Sequence, residues 1–161
     1  MSQKKVRISI ANQQLELLDG HGLIYQAPVS TARNGAGEQF GSECTPRGRH
    51  TIRAMIGKGC ESGTVFVARR PTGEIHSKTL QQQQPDRDWI LTRILWLSGC
   101  EPGINRLGNV DTMRRFIYIH GCPDTEQIGV ANSHGCIRMR NTDVIQLFEL
   151  VSTGTDVLIE E

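Results

Sequence analysis

One tripeptide that is rich in reactive groups, His-Gly-Cys, occurs twice in the chain, at residues 120–122 and at residues 134–136. A thiolate is a nucleophile and a metal ligand, and an imidazole exchanges its proton near neutral pH. Two copies at this spacing are compatible with a four-ligand metal site, a nucleophile with its base, or ordinary core packing.

The metal and packing alternatives explain the pattern less well than catalysis does. His120, Cys122, His134 and Cys136 are all suitable zinc ligands, but one residue separates the two ligands of each pair. Structural zinc sites usually place about two to four residues between such ligands. Histidines satisfied by carbonyl groups and cysteines that act as small apolar residues remain a structural alternative. The density of reactive side chains favours a catalytic cysteine.

The first copy follows a segment that reads as a β-strand, residues 114–120. Side chains alternate along a strand, so Phe116, Tyr118 and His120 are predicted to share one face. His120 would then end the strand at the rim of the sheet, where functional groups are common. Gly121 would allow the backbone to turn sharply after it.

The second copy is predicted to carry the nucleophile. Cys136 follows Gly135, where a turning backbone can leave N–H groups free to bind an oxyanion. A thiol with an ordinary pKa of about 8.5 is mostly protonated at neutral pH, and a nearby imidazole corrects this. A cysteine and a histidine brought together by the fold form a nucleophile and base.

Strand patterns must position these residues. Alternating or β-rich segments, bounded by glycine, proline and polar residues, predict a mainly β protein. A hairpin turn is expected at residues 19–22, a turn at 45–48, loops at 33–50 and 101–113, and an exposed polar excursion at 76–88. The predicted strands cover residues 6–12, 14–18, 22–30, 50–56, 64–70, 89–99, 114–120 and 156–161.

One helix is predicted after the second copy. Asn141 is a suitable N-cap and Asp143 suits the positively polarised first turn. Apolar residues follow at helical spacing through Val151, and Gly154 is expected to stop the helix. No linker or domain-scale repeat interrupts the pattern, so residues 1–161 are expected to form one domain.

Composition excludes other classes of function. The net charge of +1 and the 5% aromatic content argue against a nucleic-acid partner. No segment approaches the roughly 20 apolar residues of a membrane span, and no apolar leader segment follows Lys4 and Lys5. A protein that begins in this way is expected to be cytoplasmic and not to associate with membranes.

The cysteine count agrees with a reducing compartment. Five cysteines at wide spacing do not suggest a disulfide framework, so free thiols are expected. Cys44, Cys60 and Cys100 are expected to be small buried apolar residues.

The motif "IHG" followed by "SHGCIRM" resembles the signature of the L,D-transpeptidase (YkuD-like) catalytic domain family. That signature is a His, a loop, then Ser/Thr-His-Gly-Cys, a hydrophobic residue and Asn or Arg. The resemblance extends to "QLELL", "PVST", "TPRGRHTI", the helix and "TDVLI", and thus to almost the whole chain. It implies a β-sandwich or barrel-like fold with one C-terminal α-helix and short helical pieces.

The resemblance implies a cysteine acyl-transfer enzyme that needs no cofactor or metal. Cys136 resembles the nucleophile that forms a thioester, and His120 resembles the general base and acid. The carbonyl of Gly121 would orient His120, and N–H groups around Gly135 and Cys136 would bind the oxyanion. The substrate would be a peptidoglycan stem peptide, cut between the L-centre of a diamino acid and the following D-residue.

Supporting roles follow from the same resemblance. His134 and Ser133 resemble residues that fix the catalytic loop, and Tyr118 shares the predicted face of His120. Stem peptides carry several carboxylates, for which arginines are good partners. The candidates are Arg138, Arg140, Arg47 and Arg49. Arg138 is favoured because it lies two residues from Cys136.

Three positions depart from the family pattern. Ala32 stands where Gly is frequent, and His50 replaces a common Phe. Both changes concern packing. Cys122 stands where Thr or Ser usually follows His-Gly, and we expect it to be a passive replacement.

The thioester can be transferred to water or to an amine. In the cytoplasm the available stems are soluble tetrapeptide muropeptides and water is abundant, so an L,D-carboxypeptidase that releases terminal D-Ala for recycling is predicted. An L,D-transpeptidase that forms cross-links or exchanges D-amino acids is the alternative, and a zinc-binding or inactive binding module is a minor one. Family resemblance also predicts acylation by carbapenem-type inhibitors.

Overall fold

The computed structural model describes residues 3–20 and 22–161. Within them, the chain forms one branched sheet with two α-helices and a short 3-10 turn at Gly108–Val110. The strands are β1 (Lys4–Ser9), β2 (Gln14–Asp19), β3 (Gly22–Pro28), β4 (Gly48–Ile56), β5 (Thr64–Val67), β6 (Arg70–Ile75), β7 (Ile90–Gly99), β8 (Tyr118–Gly121), β9 (Ile137–Met139) and β10 (Asp156–Glu160). The helices are α1 (Lys78–Gln83) and α2 (Asn141–Leu150).

The sheet branches at β7. The strand order is β3-β2-β1-β10-β4-β7-β5-β6, with β8 paired to β7 and β9 paired in parallel to β8. Leu91 of β7 pairs with both β5 and β8, and Ile94 pairs with both β4 and β8. One edge of β7 therefore carries β8, and the other edge carries β5 and β4 in turn. This branch places β8 and β9 beside the middle of the sheet.

The main core lies between the sheet and α2. Val144, Leu147 and Phe148 are buried on one face of α2, which packs against β7 and β8. Ile119 of β8 and Ile137 of β9 belong to the same buried cluster. Because their backbones are fixed by this core, β8 and β9 form a rigid base for the loop that joins them.

The predicted class, mainly β with one C-terminal α-helix and short helical pieces, is confirmed. The exposed excursion at 76–88 is also found, and it contains α1, which begins after the N-cap Ser77. The predicted turn at 19–22 includes His21, which lies outside the described residues. In the described ranges, no helix has the length and apolar character needed to cross a membrane.

The predicted limits of α2 were wrong. The N-cap is Arg140, and Asn141 is the first helical residue. The side chain of Asn141 cannot cap the helix because it bonds to Thr92 and to the Cys122 carbonyl. The helix ends at Leu150, four residues before Gly154, and Val151 is buried beyond the helix end.

Two predicted strands also differ from the structure. The strand predicted at 114–120 begins only at Tyr118, because Phe116 has a φ of +56° and is 49% exposed. Phe116 therefore does not share a sheet face with Tyr118. The strand predicted at 64–70 ends at Val67, since Ala68 and Arg69 have φ values of +49° and +65° and form the hairpin turn that joins β5 to β6.

All five cysteines are free thiols. Cys44, Cys60 and Cys100 are half-buried rather than fully buried, so the prediction that they are core residues was wrong. Cys60 packs at the edge of a small cluster around Phe66, Ile94 and Tyr118.

Candidate active site

The parallel pairing of β8 and β9 brings the two tripeptide copies together. Ile119 lies opposite Ile137, so Cys136, one residue before Ile137, lies beside Tyr118. The Tyr118 N–H donates to Cys136 Sγ at 3.3 Å, and Sγ lies 3.3 Å from the Phe116 carbonyl oxygen. Tyr118 and His120 are two residues apart in one strand, so their side chains point to the same side.

His120 is oriented by the backbone of its own strand. It pairs with Ile94 of β7 and Arg138 of β9 and is only 1% exposed. Its Nδ1 lies 2.6 Å from the Gly121 carbonyl oxygen. A carbonyl oxygen can only accept, so Nδ1 carries the proton and Nε2 of the neutral ring keeps its lone pair. The predicted contact between His120 and Gly121 is present.

One cavity of about 540 Å³ is lined by both His120 and Cys136. The other predicted site residues on its wall are Tyr118, Ser133, His134 and Arg138. Residues that were not predicted complete the wall, namely Ala68, Arg69, Asp88, Ile90, Arg115, Phe116 and Ile117. The fold therefore gathers the predicted side chains around one space.

Ser133 holds the loop that carries Cys136. Its Oγ donates to the Cys136 carbonyl at 2.6 Å and accepts from the Gly135 N–H at 3.2 Å. The Ser133 N–H donates to the Thr31 carbonyl, and Thr45 Oγ1 donates to the Gly135 carbonyl at 2.9 Å. The "PVST" and "TPRG" segments thus fix the catalytic loop, and the role predicted for Ser133 agrees with these contacts.

Two details predicted for this loop were wrong. The Gly135 N–H is already bonded to Ser133 Oγ, so it is not a free oxyanion donor. His134 is exposed at the rim of the cavity rather than packed against the loop. Gly135 itself is needed for backbone conformation, because its φ is +135°.

Gly121 does not make the predicted turn. It is the last residue of β8, and a Cβ at this position would lie 2.7 Å from the Leu91 carbonyl oxygen. The same Cβ would also collide with Asn141 Oδ1. Gly121 is therefore required by close packing.

Burial keeps the two central groups neutral. It lowers the pKa of His120 and raises the pKa of the Cys136 thiol to about 12. The Tyr118 N–H and the charges of Arg138 and Arg115 partly oppose the second shift because they stabilise the thiolate. The resting pair is thus a thiol and a neutral imidazole, which suits general-base activation of the thiol.

Arg138 is already engaged by protein groups. It donates to the Asn132 carbonyl at 3.2 Å and to Asp88 at 3.4 Å, and it lies 3.9 Å from a Glu126 oxygen. The side chain is 11% exposed. The guanidinium therefore ties the second copy to residues 88 and 126. Its predicted role, binding a substrate carboxylate, stays a prediction.

The remaining cysteine of the pair faces another environment. Cys122 is 1% exposed and its Sγ donates to the Met139 carbonyl at 3.4 Å. Burial raises the pKa of this thiol to about 12. Throughout residues 3–20 and 22–161, no three His, Cys, Asp or Glu side chains are grouped so as to hold a metal ion.

Comparison with known proteins agrees with this geometry. Residues 3–159 match the family model described as YkuD, the L,D-transpeptidase catalytic domain. The chain belongs to the YkuD family. The match to this catalytic-domain family covers almost the whole chain.

Individual relatives match over shorter segments. YqjB of Bacillus subtilis is 45% identical over 47 residues, which is 29% of this chain and 27% of YqjB. YkuD of the same organism is 54% identical over 41 residues, 26% of this chain and 25% of YkuD. The matched segments therefore span about a quarter of these curated relatives.

Solved structures share the YkuD-family fold over almost the whole chain. L,D-transpeptidase 3 from Mycobacterium tuberculosis, solved with a faropenem-derived adduct, superposes with a TM-score of 0.61 and 15% identity, covering 99% of this chain and 61% of that one. LdtMt1 in complex with imipenem has a TM-score of 0.58 and 14% identity, with coverages of 98% and 59%. At this identity the likeness establishes the fold.

Sequence reasoning missed two cations of the cavity. Arg115 falls within the strand predicted at 114–120 but lies before β8 in the structure. There it donates to carbonyls of the 37–44 segment, including that of Cys44 at 2.6 Å. Arg69 lies in a hairpin turn about 50 residues before His120. The only local signal near Arg69 was the Arg-Arg-Pro-Thr-Gly segment, which indicates a turn but does not indicate a functional site.

Proposed function

We propose that the protein is an L,D-carboxypeptidase that removes the terminal D-Ala from peptidoglycan tetrapeptide stems. The observation that supports this most directly is the shared cavity of Cys136 and His120, with the imidazole held by the Gly121 carbonyl. This arrangement leaves Nε2 free to accept the thiol proton. Acyl transfer through a cysteine needs these parts in this relation.

The reaction follows from the neutral pair. His120 Nε2 takes the Cys136 proton as Sγ attacks the carbonyl carbon of the L-centre, and the carbonyl oxygen becomes an oxyanion. Collapse of this intermediate breaks the C–N bond, and His120 returns the proton to the nitrogen of the departing D-Ala. A thioester remains on Cys136. Water, deprotonated by the same imidazole, then hydrolyses the thioester and restores the thiol.

Hydrolysis in the cytoplasm is part of the proposal. Five free thiols, including a half-buried nucleophile, are compatible with the reducing cytoplasm, where disulfides are rare. Soluble tetrapeptide stems returned from the wall would be the substrates there. Water is the most abundant acceptor for the thioester.

Transpeptidation is a second candidate, favoured by one further observation. A neighbouring cavity of about 260 Å³, lined in part by Arg33, Trp89 and Glu126, lies next to the catalytic cavity. The two cavities share Asp88 and Arg138 in their walls, together with His134. A second peptide or a free D-amino acid bound there could approach the thioester as an amine acceptor.

Mass spectrometry of a disaccharide-tetrapeptide incubated with the enzyme separates these functions. A carboxypeptidase yields the disaccharide-tripeptide and free D-Ala, at a rate that disappears in the Cys136→Ala variant. Exchange of D-Ala for an added D-amino acid, or a dimeric product, would favour the transpeptidase instead. Intact substrate with both wild type and variant would reject both.

The same site is proposed to react with carbapenems, since a related enzyme has been solved in complex with imipenem and another with a faropenem-derived adduct. The strained lactam carbonyl would be attacked by Cys136 Sγ in place of the stem peptide. Peptide mapping after treatment with imipenem should place the adduct on Cys136. An adduct on Cys122 would contradict the assignment of the nucleophile.

A further inference from the structure

Arg69 extends into the catalytic cavity from outside the YkuD signature motif. It is the second of two residues that join β5 to β6, and both it and Ala68 line the cavity wall. Both residues have positive φ, +49° for Ala68 and +65° for Arg69, a conformation that non-glycine residues rarely adopt. The hairpin thus holds the arginine in a costly backbone conformation at the mouth of the cavity.

The guanidinium of Arg69 is held rigidly. Its central carbon lies 4.9 Å from the ring centroids of both Trp96 and Phe116, and its Nη1 donates to the Tyr118 hydroxyl at 3.0 Å. Stacking on two rings and a bond to a phenol fix the plane of the group. These contacts leave most of its five N–H donors available.

The other two arginines of the cavity are occupied. Arg115 donates to three backbone carbonyls and to Ser42 Oγ. Arg138 is paired with Asp88 and bonded to Asn132. Arg69, by contrast, forms no ion pair with an Asp or Glu in the part of the chain that the structure describes.

A preorganised guanidinium with free donors matches a carboxylate in shape and charge. Arg69 and Cys136 line the same cavity, and Tyr118 contacts both of them, through its hydroxyl and through its N–H. Consecutive Cα atoms are only about 3.8 Å apart, so a carboxylate on the residue after the scissile bond stays close to the attacked carbonyl.

We propose that Arg69 binds the free α-carboxylate of the residue that leaves, and thereby restricts cleavage to stems that end one residue beyond the scissile bond. This assignment rests on the proposed carboxypeptidase function and names the group by which the enzyme recognises the end of its substrate. A stem that continues, or one whose terminal carboxylate is amidated, offers only a neutral amide. The charge-assisted bond is then lost, and the desolvated guanidinium remains unpaired.

The test compares two substrates that differ only at this group. One is the disaccharide-tetrapeptide with a free D-Ala carboxylate, and the other ends in D-alaninamide. Release of D-Ala or D-alaninamide is measured with the wild type, Arg69→Gln and the matched control Arg70→Gln, whose arginine is exposed on the next position of the hairpin. Melting temperatures of the variants show whether each is folded.

The expected result is a loss of discrimination. The wild type should prefer the free acid, and Arg69→Gln should lower kcat/KM for the acid roughly 10- to 100-fold, mainly through KM, because a hydrogen bond to a charged group is lost. Cleavage of the amide should change by less than about threefold, since a neutral end makes no such bond. Arg70→Gln should resemble the wild type with both substrates.

Two different failures can be told apart. If the wild type cleaves acid and amide equally well, or if Arg69→Gln slows both by the same factor, the arginine does not read the carboxylate and the assignment is overturned. If neither substrate releases its terminal residue faster with wild type than with Cys136→Ala, the proposed carboxypeptidase function is overturned, and the assignment falls with it.

Discussion

The two copies of His-Gly-Cys, at residues 120–122 and 134–136, have the same sequence but lie in different backbone environments. The first lies at the end of β8, inside the sheet between β7 and β9. The second lies in a loop that is held by Ser133 and Thr45 before β9 begins. Identical tripeptides therefore acquire different chemistry from the backbone in which they are placed.

The difference appears at all three positions. The first histidine is buried and oriented by the Gly121 carbonyl, whereas His134 is exposed at the cavity rim. The first cysteine is buried against the Met139 carbonyl, whereas Cys136 faces the cavity. In the proposed mechanism, one copy contributes the base and the other contributes the nucleophile.

The cysteines should show the largest contrast. Replacing the nucleophile in Cys136→Ala should lower the rate of stem cleavage by at least about 10⁴-fold, as loss of the nucleophile does in other covalent enzymes. Cys122→Ala should keep most of the activity, because Cys122 Sγ bonds to a carbonyl away from the cavity. It should cost about 1–2 kcal/mol of unfolding free energy by leaving a small void in the core.

Single-turnover kinetics and denaturant unfolding measure these two effects. Loss of activity in a stable Cys122→Ala variant would contradict the conclusion that only the second cysteine takes part in the reaction. The conclusion would be supported if the double variant showed the rate loss of Cys136→Ala and the stability loss of Cys122→Ala independently, because residues without shared partners act additively.

The histidines should differ by the next largest factor. His120→Gln removes the general base and should lower kcat by roughly 10²- to 10⁴-fold. His134→Gln should change kcat by less than about fivefold, since an exposed rim residue is not held against the reacting atoms. Steady-state rates of D-Ala release compare the two variants. Equal losses of kcat would contradict the assignment of His120, rather than His134, as the base.

The pH dependence tests the same assignment of the base. Burial lowers the pKa of His120 below its ordinary 6.5, so the imidazole stays neutral as the pH falls through that value. The acid limb of kcat/KM should therefore lie below pH 6.5. Because burial also raises the pKa of Cys136 to about 12, the rate should stay on a plateau through neutral pH. A midpoint above 6.5 would contradict a buried base.

The glycines should show the smallest effects. Gly121→Ala places a Cβ against the Leu91 carbonyl and Asn141, and overpacking of this kind costs about 1–3 kcal/mol of unfolding free energy. Gly135→Ala also destabilises, by about 1–3 kcal/mol, because a residue with a Cβ rarely adopts a φ of +135°.

Activity distinguishes the two glycine variants. Gly135 directly precedes the nucleophile, so Gly135→Ala should slow acylation of Cys136 by imipenem more than Gly121→Ala does. Thermal unfolding and mass-spectrometric acylation rates measure the two effects separately. An unchanged Tm in Gly121→Ala would show that the backbone around Leu91 can move aside.

Much of the site was evident in the sequence. The residue types at 120 and 134–136, the strand before the first copy and the helix after the second predicted a nucleophile, a base and the fold class. These features are local: a strand or helix pattern repeats every few residues, and the reactivity of a thiol or imidazole belongs to the residue itself. These features can be predicted without knowing which residues are in contact in the folded protein.

The tertiary structure decided which groups are available to react. The β8–β9 register places Cys136 beside Tyr118, and hydrogen-bond competition occupies the Gly135 N–H, the Asn141 side chain and Arg138. Arg69 lies far from the motif in the chain, and it forms no ion pair among the described residues. Pairing and competition depend on partners distant in sequence, so only the folded chain determines them.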